Sequence, residues 1–221
     1  MVKAILKRWS PNASMYHLKK KGGHVAAMRP HIGKSYHASV DLTNFFGSVS
    51  RTKVHRALMK IGFRNRQALD IASESCVELG GRKFLPYGFP QSMILASLVL
   101  EKSVLGATIS DLRASGTIVT VYVDDILLSA ETLEELREAY DRVLESVVLS
   151  GFEPSVKKSE PPSTEIHSFN CRISDRLEIL EERMERFKEQ VKLATPRGRA
   201  ALLRYVGVIN GDQARSLASN P

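Results

Sequence analysis

This sequence has few cysteines and no long apolar stretch. Cys76 and Cys171 are its only thiols, and they lie too far apart along the chain to suggest a zinc motif or a disulfide framework. No apolar run reaches the ~18 residues of a membrane-spanning helix, and no signal peptide is recognisable. Internal repeats and low-complexity segments are also lacking. These absences predict a cytoplasmic protein that keeps its thiols reduced and is neither secreted nor placed in a membrane.

Acidic residues are missing from positions 1–40. This segment carries the whole formal net charge of +8, because the basic residues of the remaining chain balance the 24 acidic ones. It also contains several histidines together with Trp9, Tyr16 and Tyr36, whose rings could stack on bases. Cations mixed with rings are typical of contact with nucleic acid. A solvated basic arm without a defined partner is the alternative. Within the segment, residues 19–23 predict a hairpin turn.

Two adjacent carboxylates, Asp124 and Asp125, lie between apolar, β-branched segments. Residues 118–123 and 126–128 have the composition of strands, so the pair is predicted at the tip of a buried β-hairpin. Two anions on an apolar turn repel each other and are costly to desolvate, unless a divalent cation with a preference for oxygen ligands neutralises them. An ordinary solvated turn is the alternative.

A third carboxylate, Asp41, stands at the end of another predicted strand. Three carboxylates on neighbouring strands could hold two Mg²⁺ ions, with Mn²⁺ as a possible substitute. Two ions about 3.5–4 Å apart can activate an attacking 3′-hydroxyl and neutralise a leaving pyrophosphate. The pattern therefore predicts nucleotidyl transfer.

Four ordered segments resemble the motifs of reverse transcriptases, in particular retron, group II intron and related bacterial enzymes, including defence-associated ones. They are residues 41–49, residues 85–92 (Leu-Pro-Tyr-Gly-Phe-Pro-Gln-Ser), Tyr122-Val123-Asp124-Asp125, and residues 151–159 with Lys158. The resemblance covers residues 36–175, and more weakly the tail. It implies an α+β fold, namely a right-hand polymerase palm whose antiparallel sheet has helices packed on one face. It also implies an RNA-directed DNA polymerase acting on an RNA template, a DNA or RNA primer and deoxynucleoside triphosphates.

The same resemblance divides the chain into three parts. Residues 1–38 correspond to a basic, reduced fingers segment, residues 39–175 to the palm and residues 176–221 to a small helical thumb-like region. The fingers segment is far shorter than is usual in the family. A second protein subunit or a structured non-coding RNA could therefore complete it.

Roles for individual residues follow from the resemblance. Asp41, Asp124 and Asp125 are the expected catalytic metal ligands, with Leu42 beside them. Phe46 would block a 2′-hydroxyl, unless it is simply a core residue, since only one of Phe45 and Phe46 can face the site at strand spacing. The expected nucleotide contacts are Phe46, Tyr87, Gly88, Gln91, Lys158 and Arg29. The expected primer and template contacts are Tyr122, Lys19, Lys20, Lys21 and Arg197.

Two other functions remain open. Tyr87 stands where the family usually has glutamine, which leaves room for a template-independent or RNA-making nucleotidyl transferase. An inactive RNA-binding palm that serves as a scaffold within a larger complex is the other possibility. Apolar spacing and capping residues further predict helices over residues 54–61, 69–79, 94–105, 132–150 and 180–194, a hairpin over 167–173, and a helix from Pro196 onward.

Overall fold

The computed structural model describes residues 1–19 and 21–219, with the side chain of Lys19 left out. The helices are α1 (Val2–Leu6), α2 (Tyr16–Lys19), α3 (Gly23–Met28), α4 (Phe45–Ser48), α5 (Arg51–Lys60), α6 (Asn65–Ser75), α7 (Ser92–Glu101), α8 (Val104–Ala114), α9 (Leu133–Leu149), α10 (Glu181–Leu193), α11 (Pro196–Ile209) and α12 (Gly211–Ser219). The strands are β1 (Tyr36–Asp41), β2 (Val77–Leu79), β3 (Arg82–Phe84), β4 (Ile118–Tyr122), β5 (Asp125–Ala130), β6 (Glu160–Ser163), β7 (Ile166–Ser168), β8 (Cys171–Ile173) and β9 (Leu177–Ile179). A single 3₁₀ turn, Arg29–His31, follows α3.

A four-stranded antiparallel sheet in the order β4-β5-β1-β6 forms the centre of the fold. Strand β1 is the first in the sequence but lies inside the sheet, between β5 and β6. Side chains alternate between the two faces of a strand, so Ala38 and Val40 point to one side and His37, Ser39 and Asp41 to the other. The first side is apolar and the second is polar.

The apolar side of the sheet packs against helices. Residues Val40, Ile126 and Leu128 belong to one large core together with buried side chains of α5, α7, α8 and α9. Helix α9 begins with a capping box in which the Thr132 hydroxyl accepts a hydrogen bond from the Glu135 amide, while the Glu135 carboxylate accepts one from the Thr132 amide. This layer of helices on one face of an antiparallel sheet confirms the expected palm-like α+β fold.

The polar side of the sheet is partly covered by a second layer. Strands β7, β8 and β9 form a small antiparallel sheet, and α10, α11 and α12 follow it. Their buried side chains share a second core with Val25 and Met28 of α3 and with Leu127 of β5. The end of the sheet that carries Asp41 and Asp125 remains open to a cleft.

Most of the predicted elements are confirmed, and four details are wrong. Strand β2 occupies residues 77–79, so the helix predicted to reach Leu79 ends at Ser75. The helix predicted over 94–105 breaks at Lys102–Ser103. Helices α2 and α3 lie on either side of Lys21 and Gly22, so the turn predicted in this segment lies between two helices and not between two strands. Phe45 and Phe46 lie on the single-turn helix α4 rather than on a strand, so strand alternation does not apply to them.

No single helix within residues 1–19 and 21–219 is long and apolar enough to cross a membrane. Helices α7 and α8 satisfy the length and composition criteria only as a pair, and they are bent by 67° at the break between them.

Candidate active site

The Asp124-Asp125 pair lies at the turn of the β4–β5 hairpin, as predicted. Tyr122 pairs with Asp125 across the two strands, so Val123 and Asp124 alone form the turn. Residues directly opposite each other in an antiparallel pair share a face. Tyr122 therefore shares its face with Asp125.

Val123 has a left-handed backbone conformation with φ of +64°. This conformation is sterically unfavourable for a β-branched residue and persists only where the surroundings enforce it. The Val123 side chain packs against the main core, which holds one side of the turn. The turn thus places two consecutive carboxylates at the edge of the cleft at a cost in backbone strain.

Asp41 reaches the same place through the register of the sheet. It is the last residue of β1 and pairs with Asp125. The next amide, that of Leu42, donates a hydrogen bond of 3.1 Å to the carbonyl oxygen of Asp124. On the other side, the Asp41 amide donates to Ser159 Oγ at 3.1 Å. These two bonds hold the end of β1 against the Asp124 turn on one side and against Ser159 on the other.

Burial and clustering of the carboxylates raise the proton affinity of Asp124 and Asp125. Burial raises the pKa of Asp124, and the charge of Asp41 adds to the effect. Burial together with the charges of Asp124 and Asp41 raises the pKa of Asp125 to about 7. Clustered anions with elevated pKa values are typical of sites where charge is arranged for chemistry.

Lys158 supplies a cation to this cluster. Its Nζ lies 3.2 Å from Asp41 Oδ1, and the pairing raises the pKa of Lys158. The Lys158 side chain is 70% exposed, so it can leave the carboxylate without a large penalty. This ion pair brings the fourth motif to the carboxylates.

The donor set fits a divalent cation by chemistry. Carboxylate oxygens are the ligands that Mg²⁺ prefers, and a cation would relieve the repulsion that raises the pKa values of Asp124 and Asp125. As the side chains stand, no three acidic, histidine or cysteine groups among the described residues converge closely enough to hold an ion. The Lys158 ammonium instead neutralises Asp41. Metal binding would therefore require side-chain rotation and displacement of that ammonium.

A cleft opens over the carboxylates. Its lining includes Phe46, Tyr87 and Tyr122 from the predicted contacts, together with Leu42 and Lys158. The rings of Phe46 and Tyr87 meet edge to face with centroids 5.7 Å apart. Tyr87 is 87% exposed, so its ring is available to a ligand. Phe46 packs only partly against the core, whereas Phe45 is buried.

Other predicted contacts lie away from the cleft. Gly88, with φ of +89°, and Gln91 follow Tyr87 in the chain but are not part of the cleft lining. The Arg29 guanidinium donates a hydrogen bond of 3.0 Å to the carbonyl oxygen of Val208 at the end of α11. The structure therefore does not bring Arg29 to the carboxylates.

The remaining predicted contacts belong to the basic residues. Lys21 and Arg197 are exposed and lie outside the lining of the cleft. Lys20 and the side chain of Lys19 lie outside the described residues. Lys34, another cation of the N-terminal segment, pairs with Glu131 at 2.6 Å.

Two neighbours of the site were not predicted as functional residues. Phe169, at the tip of the β7–β8 hairpin, lines the cleft and meets the Tyr122 ring edge to face at 5.4 Å. His17 contacts the backbone of the β4–β5 turn. The hairpin predicted over residues 167–173 could have indicated Phe169, because this residue lies at its turn. Phe169 and Asn170, both with positive φ, form the turn between β7 and β8. No local sequence signal indicates His17.

Comparison with known proteins agrees with this architecture. The family model described as reverse transcriptase (RNA-dependent DNA polymerase) matches residues 1–191. The chain belongs to the reverse transcriptase family.

A curated relative points to the retron-like bacterial members of this family. Retron Ec86 reverse transcriptase of Escherichia coli is 31% identical over 131 residues, which cover 59% of this chain and 39% of the relative. The chain thus spans about two fifths of that relative's length.

Solved structures share the fold at low sequence identity. A foamy viral protease-reverse transcriptase in complex with double-stranded DNA superposes with a TM-score of 0.53 at 19% identity, covering 85% of this chain and 30% of that one. Telomerase from Candida albicans, solved with a fragment of telomeric RNA, gives 0.57 at 10% identity, covering 98% of this chain and 46% of that one. Both likenesses concern the fold.

Proposed function

We propose that this chain is an RNA-directed DNA polymerase that adds deoxynucleotides to the 3′ end of a primer. The observation that carries the proposal is the meeting of Asp41, Asp124 and Asp125 at one end of the sheet in a member of the reverse transcriptase family. Similarity to a retron enzyme favours a bacterial retroelement or an anti-phage defence system as its setting.

In this proposal Asp41 and Asp124 are the main ligands for divalent cations, Asp125 assists them, and the Leu42 backbone lies beside them. When bound, such ions, which we propose are Mg²⁺ with Mn²⁺ as a substitute, activate the primer hydroxyl and neutralise the leaving pyrophosphate. Lys158, once released from Asp41, is placed to pair with the triphosphate and to protonate the departing pyrophosphate.

The rings in the cleft would hold the organic parts of the substrates. Phe46, which lines the cleft, would contact the sugar of the incoming nucleotide and disfavour a 2′-hydroxyl. The exposed ring of Tyr87 offers a stacking surface, and Gly88 and Gln91 follow it as further nucleotide contacts. Tyr122 and Phe169 form an aromatic wall beside Asp125 that suits the primer terminus.

The proposed partners are an RNA template and a DNA or RNA primer. Basic residues of positions 1–40, with Lys19, Lys20, Lys21 and Arg29 among them, and Arg197 near the C-terminus would contact phosphates. We also propose that a second protein subunit or a structured non-coding RNA contributes to the template channel. The two free thiols suit a cytoplasmic location.

The direct test is primer extension. Purified protein is incubated with Mg²⁺, a primed RNA template and labelled deoxynucleotides or, separately, ribonucleotides. We expect templated DNA extension that Asp124→Asn abolishes. Asp141→Asn, which removes an exposed carboxylate on α9, is the matched control and should leave extension unchanged. Untemplated products or a preference for ribonucleotides would replace the proposal by a different nucleotidyl transferase.

One observation favours a second candidate function. The Lys158 ammonium pairs with the Asp41 carboxylate at 3.2 Å. A palm that binds RNA as a scaffold without catalysis fits this arrangement. It predicts no synthesis with any primer, and RNA binding that Asp124→Asn leaves unchanged.

A further inference from the structure

The N-terminal segment forms an additional edge next to the β4–β5 hairpin. Met15 bridges Val121 in parallel, and the Val121 amide donates a hydrogen bond of 2.9 Å to the Ser14 carbonyl oxygen. Met15 is buried in the main core, so this contact is firmly held. The segment therefore runs along β4 toward the carboxylate turn and begins α2 beside it.

His17, on α2, connects this segment to the turn itself. The Val123 amide donates a hydrogen bond of 3.0 Å to His17 Nδ1. Because Nδ1 accepts, the proton of the neutral ring lies on Nε2, which donates to Ser97 Oγ at 2.7 Å. The Ser97 hydroxyl in turn donates to the Met93 carbonyl oxygen on α7 at 2.8 Å. The imidazole thus bridges the turn and a core helix.

This hydrogen bond falls on the residue of the hairpin with the least favourable backbone. Val123 has φ of +64°, a conformation that needs external support in a β-branched residue. As a turn residue it pairs with no residue of β5, so its amide finds its acceptor on the imidazole. Burial lowers the pKa of His17 and outweighs the opposing effect of the Val121 carbonyl oxygen, which lies 3.5 Å from Nδ1, so the ring stays neutral and Nδ1 can accept. The His17 ring also contacts the Tyr122 ring edge to face at 5.9 Å.

We propose that His17 is a positioning residue for the polymerase reaction. By accepting a hydrogen bond from the Val123 amide, it holds the turn that places Asp124 and Asp125 at the cleft. The inference rests on the proposed function. His17 does not touch the substrates in this assignment, and its effect passes entirely through the backbone of the turn.

Three substitutions separate the two ends of the imidazole. Asparagine at position 17 places its oxygen where Nδ1 stands and can still accept the Val123 amide. Glutamine reaches the position of Nε2 near Ser97 but offers no acceptor at the Nδ1 position. Leucine fills space without either bond. Ser97→Ala is the matched control, because it removes the outer bond of the imidazole, together with the Ser97–Met93 bond, and leaves the bond to the Val123 amide in place.

We expect His17→Gln and His17→Leu to lower kcat by roughly 10- to 100-fold, because a displacement of about 1 Å at a reacting centre can cost 10²-fold. His17→Asn and Ser97→Ala should stay within about 3-fold of the wild type. The KM for primed template should change less than kcat in all four variants, since His17 itself touches no nucleic acid in this proposal and only its neighbour Tyr122 does. Equal activity of the folded asparagine and glutamine variants would overturn the proposal.

A second measurement does not depend on activity. Hydrogen exchange of the Val123 amide, followed by NMR in the metal-free protein, should be slow in the wild type and in His17→Asn and fast in His17→Gln and His17→Leu. Fast exchange in the wild type would refute the hydrogen bond. If the wild type makes no product with any primer, the proposed function fails, whereas the exchange data still decide whether His17 holds the turn.

Discussion

His31 should make the fold sensitive to mild acid. Its imidazole is completely buried between the 3₁₀ turn and the polar face of the sheet. The Nε2 atom lies 2.8 Å from Thr120 Oγ1 and Nδ1 lies 2.7 Å from Ser129 Oγ. Burial, with a smaller contribution from the charge of nearby His37, lowers the pKa of His31 to about 3. The native state therefore holds this ring in its neutral form.

The magnitude follows from linkage. In the unfolded chain the imidazole takes up a proton below its ordinary pKa of 6.5, whereas the native state does so only near pH 3. The unfolded state thus binds more protons between these values, and the free energy of unfolding falls as the pH is lowered. The full slope is about 1.4 kcal/mol per pH unit, so His31 alone should cost about 2 kcal/mol between pH 8 and pH 5.

The substitution His31→Gln removes the titrating group while keeping a polar side chain. The variant should be less stable than the wild type at pH 8, because it loses at least one buried hydrogen bond worth about 1–3 kcal/mol. Lowering the pH to 5 should narrow the difference in the free energy of unfolding between the two proteins by about 2 kcal/mol, because only the wild type has a group at position 31 that binds a proton on unfolding. Urea unfolding of both proteins at several pH values measures this difference in the free energy of unfolding. His55→Gln, at a histidine whose bond to Asn65 is exposed, is the control for the exchange of histidine for glutamine. A constant difference between His31→Gln and the wild type from pH 8 to 5 would refute the reasoning.

Three further outcomes are expected. Lys158→Ala should lower kcat/KM for deoxynucleotides by about 10-fold or more in steady-state extension, while Lys157→Ala at the neighbouring exposed position stays near the wild type. Phe46→Ala should raise ribonucleotide incorporation relative to deoxynucleotide incorporation in a competition assay, and Phe89→Ala should not. An unchanged ratio in Phe46→Ala would show that Phe46 does not exclude the 2′-hydroxyl. Leu128→Ala should lower the free energy of unfolding by about 2–5 kcal/mol in urea titrations, because it opens a cavity in a fully buried part of β5.

The sequence predicts best those features that depend on neighbours along the chain. Apolar, β-branched flanks on both sides of the acidic pair define the β4–β5 hairpin, and the Thr132–Glu135 capping box defines the start of α9. Both are local signals with a direct physical cause, and the structure has both. The three carboxylates could be named for the same reason, because each follows or opens a clear strand.

Contacts between distant segments could not be predicted. His17 and Val123 are joined by a single hydrogen bond that no pattern of apolar spacing encodes. The sequence predicts Arg29 as a cation available to a nucleotide, yet its guanidinium donates a hydrogen bond to the backbone at the end of α11. The basic N-terminal segment also buries Ile5 and Trp9 in the main core, which its charge conceals. Sequence composition reports what a segment contains, whereas packing decides which of its side chains remain available.

The position of β1 has a consequence for synthesis of the protein. β1 is synthesised well before both of its hydrogen-bonding neighbours, β5 and β6. Until then its edges are unpaired and its apolar residues Ala38 and Val40 are exposed, a state prone to association with other chains. A nascent chain that stops before Asp124 carries Asp41 without its two companions. The three carboxylates of the candidate active site therefore come together late in synthesis, when β5 and β6 pair with β1.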